Sequence, residues 1–207
     1  MCGRYLFAAQ QAELDRIYRN ALKNSPGEAP PTGEIRPSGA APILLAQEGA
    51  ILARFGSFGR PVTDRATGRP RLVINARAET VREKPLFRDS FRLRRCIVPA
   101  DAFYEWDAGR RKYRFFAPDG PLYFAGLFDT GAQRPCFTII TTAPNAAMAP
   151  IHDRMPLILH HGAVRPWLTD GDFAAQALSS RPRELSRVPE DGQLGLFDPD
   201  LTGGNEL

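Results

Sequence analysis

The second residue of the chain is a cysteine. It sits in MCGRYLF, and only Cys96 and Cys136 follow it in 207 residues. Cells commonly remove an initiator methionine when the next residue is small, and removal of Met1 would leave Cys2 with a free α-amine beside its thiol. An α-amine titrates at about 7.7–8.0 and a cysteine thiol at about 8.5, so near neutrality both reactive forms coexist. Such a 1,2-aminothiol condenses with an aldehyde: the amine forms an imine, and the thiolate closes on the imine carbon to give a five-membered thiazolidine. Proximity makes the second step intramolecular. A lone cysteine at the start of a strand also serves as a small buried hydrophobe, and its surroundings decide between the two roles.

Three other stretches carry groups suited to that chemistry. In RRCIVPADAFYEW, residues 94–106, an apolar strand delivers Glu105 between Tyr104 and Trp106. Burial there would raise its pKa toward the range of a neutral-pH proton shuttle, and Trp106 offers a face on which a base can stack. The alternative is a surface glutamate on an edge strand beside core aromatics. INARAET, residues 74–80, ends an apolar strand in polar groups. Asn75 supplies both a donor and an acceptor, and the two-residue period of a strand puts Arg77 on the same side. In PNAAMAPIHDRMPLIL, residues 144–159, His152 precedes Asp153 and Arg154, which can orient it or bind an anion; a structural histidine is the alternative. His160 and His161, adjacent in HHG, read as a surface turn.

The elements that must position these groups follow from patterning. AAQQAELDRIYRNALKN places Leu14, Ile17, Tyr18, Ala21 and Leu22 on one helical face. SPGEAPPTGEIRPSGAAP reads as a long ordered loop with extended pieces. PILLAQ, AILARFG, RLVINA, RCIVPADAFYEW, KYRFFAPDG, PLYFAGLF and CFTIITT alternate with turn signals and read as strands. The turn in APDGPLYF predicts a hairpin, and GDFAAQALSS a second helix. The class is α+β, a curved, mostly antiparallel sheet or open barrel-like core with flanking helices.

Composition narrows the setting. The hydrophobic fraction of 43%, with 13 Phe, 5 Tyr and 2 Trp, suits a globular domain with a sizeable core. No apolar run approaches the roughly 20 residues that span a bilayer and no signal-peptide core is present, so a cytoplasmic protein with no membrane partner is expected. Three scattered cysteines without a CxxC pair argue against a disulfide framework and against zinc, and no cofactor or metal is expected. Of the 27 cationic side chains only Lys23, Lys84 and Lys112 are lysines, with a net charge of +4. An arginine excess permits a nucleic-acid partner, although a GC-rich genome leaves the same bias.

MCGR, INARAET, RCIVPADAFYEW, FAGLF, TIITTAPN and IHDRMP occur in that order across most of residues 1 to about 170. Together they resemble the SOS response-associated peptidase (SRAP) family, the abasic-site processing proteins. The resemblance implies an SRAP fold whose sheet face holds single-stranded DNA containing an abasic site, and a covalent thiazolidine crosslink to the opened sugar through Cys2, shielding the lesion during the DNA damage response. It implies Glu105 as acid and base, His152 as the aid to ring opening and water loss, and Asn75 as the holder of the sugar oxygens. Arg4, Arg77 and Arg154 would contact phosphates, and Trp106 a neighbouring base or its sugar. An imine that escapes thiol closure implies weak lyase activity by β-elimination. The family name implies a cysteine peptidase as an alternative, limited in one form to removing Met1 from itself. A noncovalent single-strand binding module is the third reading.

Residues 1–186 read as the catalytic domain and 187–207 as a mobile, acidic tail. Within the tail Gln193, Leu194, Leu196 and Phe197 of QLGLF resemble the short peptide with which bacterial replication and repair proteins bind the sliding clamp. The apolar pair would fill a pocket and the glutamine would bond at its rim. Docking of the same leucines and phenylalanine onto the domain's own surface is the alternative.

Overall fold

The computed structural model describes residues 2–64, 66–130 and 134–190. In chain order the elements are β1 (Arg4–Phe7), α1 (Ala12–Asn24), β2 (Gly33–Ile35), β3 (Ala40–Gln47), β4 (Ala50–Phe58), β5 (Arg60–Thr63), β6 (Pro70–Val73) and β7 (Asn75–Arg77). There follow α2 (Arg88–Leu93), β8 (Arg95–Ala100), β9 (Ala102–Trp106), β10 (Lys112–Phe116), β11 (Leu122–Asp129) and β12 (Cys136–Thr142). The last are β13 (Met155–Pro156), β14 (Ile158–Leu159), the 3-10 turn η1 (His161–Ala163), α3 (Val164–Thr169), α4 (Gly171–Ala177) and β15 (Ser186–Glu190).

Two sheets share one core. The larger runs β12-β4-β3-β8-β11, and β11 pairs back onto β12, so these five strands close into a ring carrying β13, β14 and β7 on its edges. The smaller sheet has the antiparallel order β15-β10-β9-β1-β2. The α+β class with a curved, mostly antiparallel sheet is the one expected, and the barrel is closed. Aromatic side chains join the layers: Phe124 of β11 meets Tyr5 of β1 and Phe103 of β9 edge-on, each at 5.9 Å, while Phe103 stacks on Phe115 of β10 at 5.1 Å. Closing the ring demands close approach at Gly126, where an added Cβ would come within 2.9 Å of Cys96 Sγ and 3.2 Å of the Thr138 carbonyl oxygen.

Helix α1 buries Leu14, Ile17 and Ala21, as its spacing requires. Polar residues of α1, and Ser25 just beyond it, protect the part of the β4 edge that β12 does not reach: the Ala53 N–H donates to Asn20 Oδ1 at 2.7 Å, Asn24 Nδ2 donates to the Ala53 carbonyl at 3.2 Å, and the Phe55 N–H donates to Ser25 Oγ at 3.1 Å. An edge that would otherwise offer itself to another chain is thereby covered.

Three expectations are corrected. RCIVPADAFYEW is two strands, not one: β8 belongs to the ring and β9 to the smaller sheet, with Asp101 at the corner. There the Asp101 carboxylate accepts the Ala8 N–H at 2.7 Å and Gln11 Nε2 at 3.3 Å. The APDG segment does turn, with a bridge between Ala117 and Gly120, but β10 and β11 enter different sheets and form no hairpin. The two-residue hairpin lies instead between β3 and β4, where Glu48 and Gly49 both have positive φ, 51° and 79°, as a type I′ turn requires. Finally, the domain does not end at residue 186. Residues 186–190 form β15 on β10, an edge position where Pro189, which lacks an N–H, is tolerated. The rest of the expected tail, with Gln193, Leu194, Leu196 and Phe197, lies outside the described residues, as does Met1.

Candidate active site

Asn75 and Glu105 come from distant parts of the chain and stand beside Cys2, and His152 lies near enough to Glu105 to act on its charge. Cys2 lies just ahead of β1 and is fully buried. Burial alone would fit a packing residue, and Cys2 does join the hydrophobic core, but Asn75 and Glu105 also bring polar groups to it. Asn75, the first residue of β7, donates from Nδ2 to the Cys2 carbonyl oxygen at 3.2 Å. Its own Oδ1 is buried and, among the described residues, accepts no hydrogen bond. Burial pushes the Cys2 thiol far above its ordinary value, and the negative charge of Glu105 pushes it further.

Glu105 is not the surface carboxylate that an edge strand would give. It is 5% exposed, and burial raises its carboxyl above the usual range, with His152 opposing. β9 places it there through its pleat. Phe103 and Glu105 face inward, and Glu105 pairs in register with Tyr113 of β10. A buried carboxyl whose neutral form is favoured can give up a proton and take one back near neutral pH.

His152 ends a hydrogen-bonded turn. The Asn145 carbonyl accepts the N–H groups of Met148 at 3.1 Å and Ala149 at 2.9 Å, Asn145 Oδ1 accepts the Met148 N–H at 2.9 Å, and the Met148 carbonyl accepts that of His152 at 3.0 Å. Asn145 Nδ2 in turn donates to the Arg183 carbonyl at 2.7 Å, tying the turn to the segment leading into β15. The Arg154 N–H donates to His152 Nδ1 at 3.0 Å, and the same nitrogen lies 2.8 Å from Asp153 Oδ1.

The cations are distributed less uniformly than expected. Arg77 is exposed at the end of β7 and, by alternation, shares a side with Asn75 while Ala76 points into the core. The Arg154 side chain is only 13% exposed. It donates from both terminal nitrogens to Glu79, at 2.6 and 2.9 Å, and to the Thr141 carbonyl at 2.6 Å. Adjacent residues of a strand face opposite ways, so Trp106 lies on the other face of β9 from Glu105, with the Arg4 guanidinium 5.0 Å from its ring. Arg4 also reaches Glu34 at 3.4 Å. Cys2, just ahead of β1, and Glu105, on β9, thus mark one rim of the smaller sheet, the candidate reactive rim; Asn75 reaches Cys2 from β7 of the larger sheet, and Arg4 and Trp106 flank the rim on its outer side.

Glu79 and Asn145 were not singled out in the sequence. The signal for Asn145 was an asparagine placed directly before a turn, whereas Glu79 lay inside INARAET without a visible partner. Among the described residues no group of three or more His, Cys, Asp or Glu stands close enough to hold a metal ion.

The chain as a whole is similar to known proteins. The abasic site processing protein YoaM of Bacillus subtilis is 35% identical over 200 residues, covering 87% of this chain and 84% of its own. The abasic site processing protein YedK of Escherichia coli is 29% identical over 179 residues, covering 81% and 79%. In fold, a phage-related protein of Bordetella bronchiseptica superimposes with a TM-score of 0.72 at 25% identity, over 92% of this chain and 95% of that one. The model of the family described as SOS response associated peptidase (SRAP) matches residues 1–190, from the cysteine-bearing N-terminus through β15. The chain belongs to the SRAP family.

Proposed function

We propose that the chain processes abasic sites in single-stranded DNA by condensing Cys2, once Met1 has left, with the aldehyde of the opened sugar. The observation that carries this reading is the Asn75 bond to the Cys2 carbonyl beside the buried Glu105 carboxyl. An aminothiol needs a fixed backbone and a proton carrier, and this pair supplies both. The names of the relatives, abasic site processing proteins, support the substrate.

The α-amine attacks the aldehyde carbon first, because burial keeps the thiol protonated. Glu105 gives its proton to the departing hydroxyl, water leaves, and the imine forms with its nitrogen still protonated. The resulting carboxylate takes the thiol proton as Sγ adds to the imine carbon, and the ring nitrogen ends as a neutral secondary amine. One water is released and no oxidant is consumed. His152 assists the opening of the sugar ring, and Asn75 Oδ1 accepts a sugar hydroxyl. Arg4, Arg77 and Arg154 hold flanking phosphates, Arg154 exchanging Glu79 for one, and Trp106 packs against a neighbouring base. An imine that loses a proton from the adjacent sugar carbon before ring closure breaks the strand, giving weak lyase activity.

The raised thiol weighs against a thiolate-first peptidase. Incubation of the protein with a single-stranded oligonucleotide bearing one abasic site, followed by denaturation, tests the proposal: a stable adduct that Cys2→Ala abolishes is expected, and an adduct undiminished by Cys2→Ala would overturn it. The tail peptide with Gln193, Leu194, Leu196 and Phe197 is proposed to bind the sliding clamp; a clamp pull-down unaffected by Leu196→Ala and Phe197→Ala would remove that idea.

A further inference from the structure

The outer face of the smaller sheet carries more cationic and aromatic surface than the reactive rim uses. Its pleat sets Arg4, Tyr104, Arg114 and Val188 in one cross-strand row, and Trp106, Lys112 and Glu190 in the next. Lys112 Nζ stands 3.8 Å from the centre of the Tyr104 ring and 5.9 Å from that of Trp106, which Arg4 covers from its other neighbour strand. The Arg114 side chain is 42% exposed. Strand spacing puts β10 about 10 Å from β1, a distance that a short run of nucleotides bridges.

Two carboxylates sit among these cations. Glu34 lies 3.0 Å from Lys112, 2.8 Å from Arg36 and 3.4 Å from Arg4. Glu190 lies 3.3 Å from Lys112 and 3.2 Å from Arg114. The second contact is poorly aligned: Arg114 Nε is buried and makes no hydrogen bond, although the Glu190 oxygen is within reach. A poorly aligned, partly exposed ion pair contributes little to stability, so exchanging its carboxylate for a phosphate oxygen costs little. The rows also end at the reactive rim, since Arg4 follows Cys2 by two residues and Trp106 adjoins Glu105.

We propose that Lys112 and Arg114 form a second phosphate-binding row for the single strand as it leaves the reactive rim, and that Glu34 and Glu190 hold that row in the DNA-free protein. The proposal rests on the reading of single-stranded DNA as substrate. Tyr104 is buried beneath Lys112, while Trp106 is partly exposed, so cations beside the Trp106 face offer phosphate pairing and base stacking together, the combination that a single strand uses. Glu190 then acts as an internal competitor, a carboxylate standing where a phosphate binds.

The test uses the Cys2→Ala protein, which removes the covalent step, and a labelled, undamaged 12-nucleotide single strand read by anisotropy across a salt series. Lys112→Ala and Arg114→Ala should each weaken binding roughly threefold or more and lower the slope of log affinity against log salt by about 0.7. Glu190→Gln should tighten binding roughly twofold or more, a gain that misfolding cannot produce. Unchanged affinity and slope in both cation variants, or weaker binding in Glu190→Gln, would overturn the proposal. Failure of the underlying reading shows separately, as the absence of any denaturation-resistant adduct between the unmutated protein and an abasic strand.

Discussion

The side-chain amide of Asn75 donates to the backbone carbonyl of Cys2 at 3.2 Å, joining residues 73 positions apart. This bond fixes the backbone of a chain terminus, the part of a domain most prone to fray. It leaves Asn75 Oδ1 buried without a hydrogen-bond partner among the described residues. On the proposed mechanism the same residue holds the Cys2 backbone and offers an acceptor to the sugar.

Asn75→Ala should therefore slow crosslinking more than it unfolds the protein. Misplacement of a reacting group by about 1 Å costs on the order of 100-fold in rate. The single-turnover rate of adduct formation should fall by about that factor while the thermal midpoint moves little. A variant that crosslinks at the unmutated rate would show that the bond positions nothing.

Glu105 couples activity to stability with a definite sign. Its folded pKa lies above the unfolded one because of burial, so between those values the native state holds more protons than the unfolded chain and stability falls as pH rises. Glu105→Gln removes that cost. The variant should be more stable than the unmutated protein at pH 7, the difference shrinking as pH drops below the ordinary glutamate range, and it should crosslink slowly at both. Denaturant titrations at pH 4 and 7 read the first effect, and a gain that grows toward low pH would contradict the assignment.

The opposite sign applies to Glu79. Hydrogen bonding from Arg154 holds its carboxyl below the usual range. Its contribution is present above the unfolded pKa and is lost as pH falls through the folded one. Glu79→Gln should lower the thermal midpoint slightly at pH 7, the effect fading under acid conditions, because the pair is partly exposed and screened. It should also change crosslinking, through Arg154 and the N–H that Arg154 gives to His152. A crosslinking rate identical to that of the unmutated protein would confine Glu79 to the surface.

Local pattern made much of this legible. The apolar stripe of α1 and the strands each announce themselves within a dozen positions, whereas Cys2, Asn75, Glu105 and His152 each leave a structural alternative open and are tied together only by the resemblance of their motifs. The opposite facing of Glu105 and Trp106 was also readable, since neighbours on a strand cannot share a face. What a local pattern cannot carry is the choice of pairing partner. Asp119 and Gly120 signal a turn, but whether β10 meets β11 depends on β8, β9 and β12, all of which compete for those edges. The Arg154–Glu79 pair spans 75 positions and likewise has no local signature. β15 escaped notice because Pro189 interrupts a short, weakly alternating stretch that only an edge position accommodates.

The proposed reaction of Cys2 as an aminothiol is read most directly from the intact mass of the denatured product. After incubation with a single-stranded oligonucleotide carrying one abasic site, one species is expected: the chain without Met1, plus the oligonucleotide, minus one water. An adduct that retains Met1, or one that forms equally well with Cys2→Ala, would contradict it.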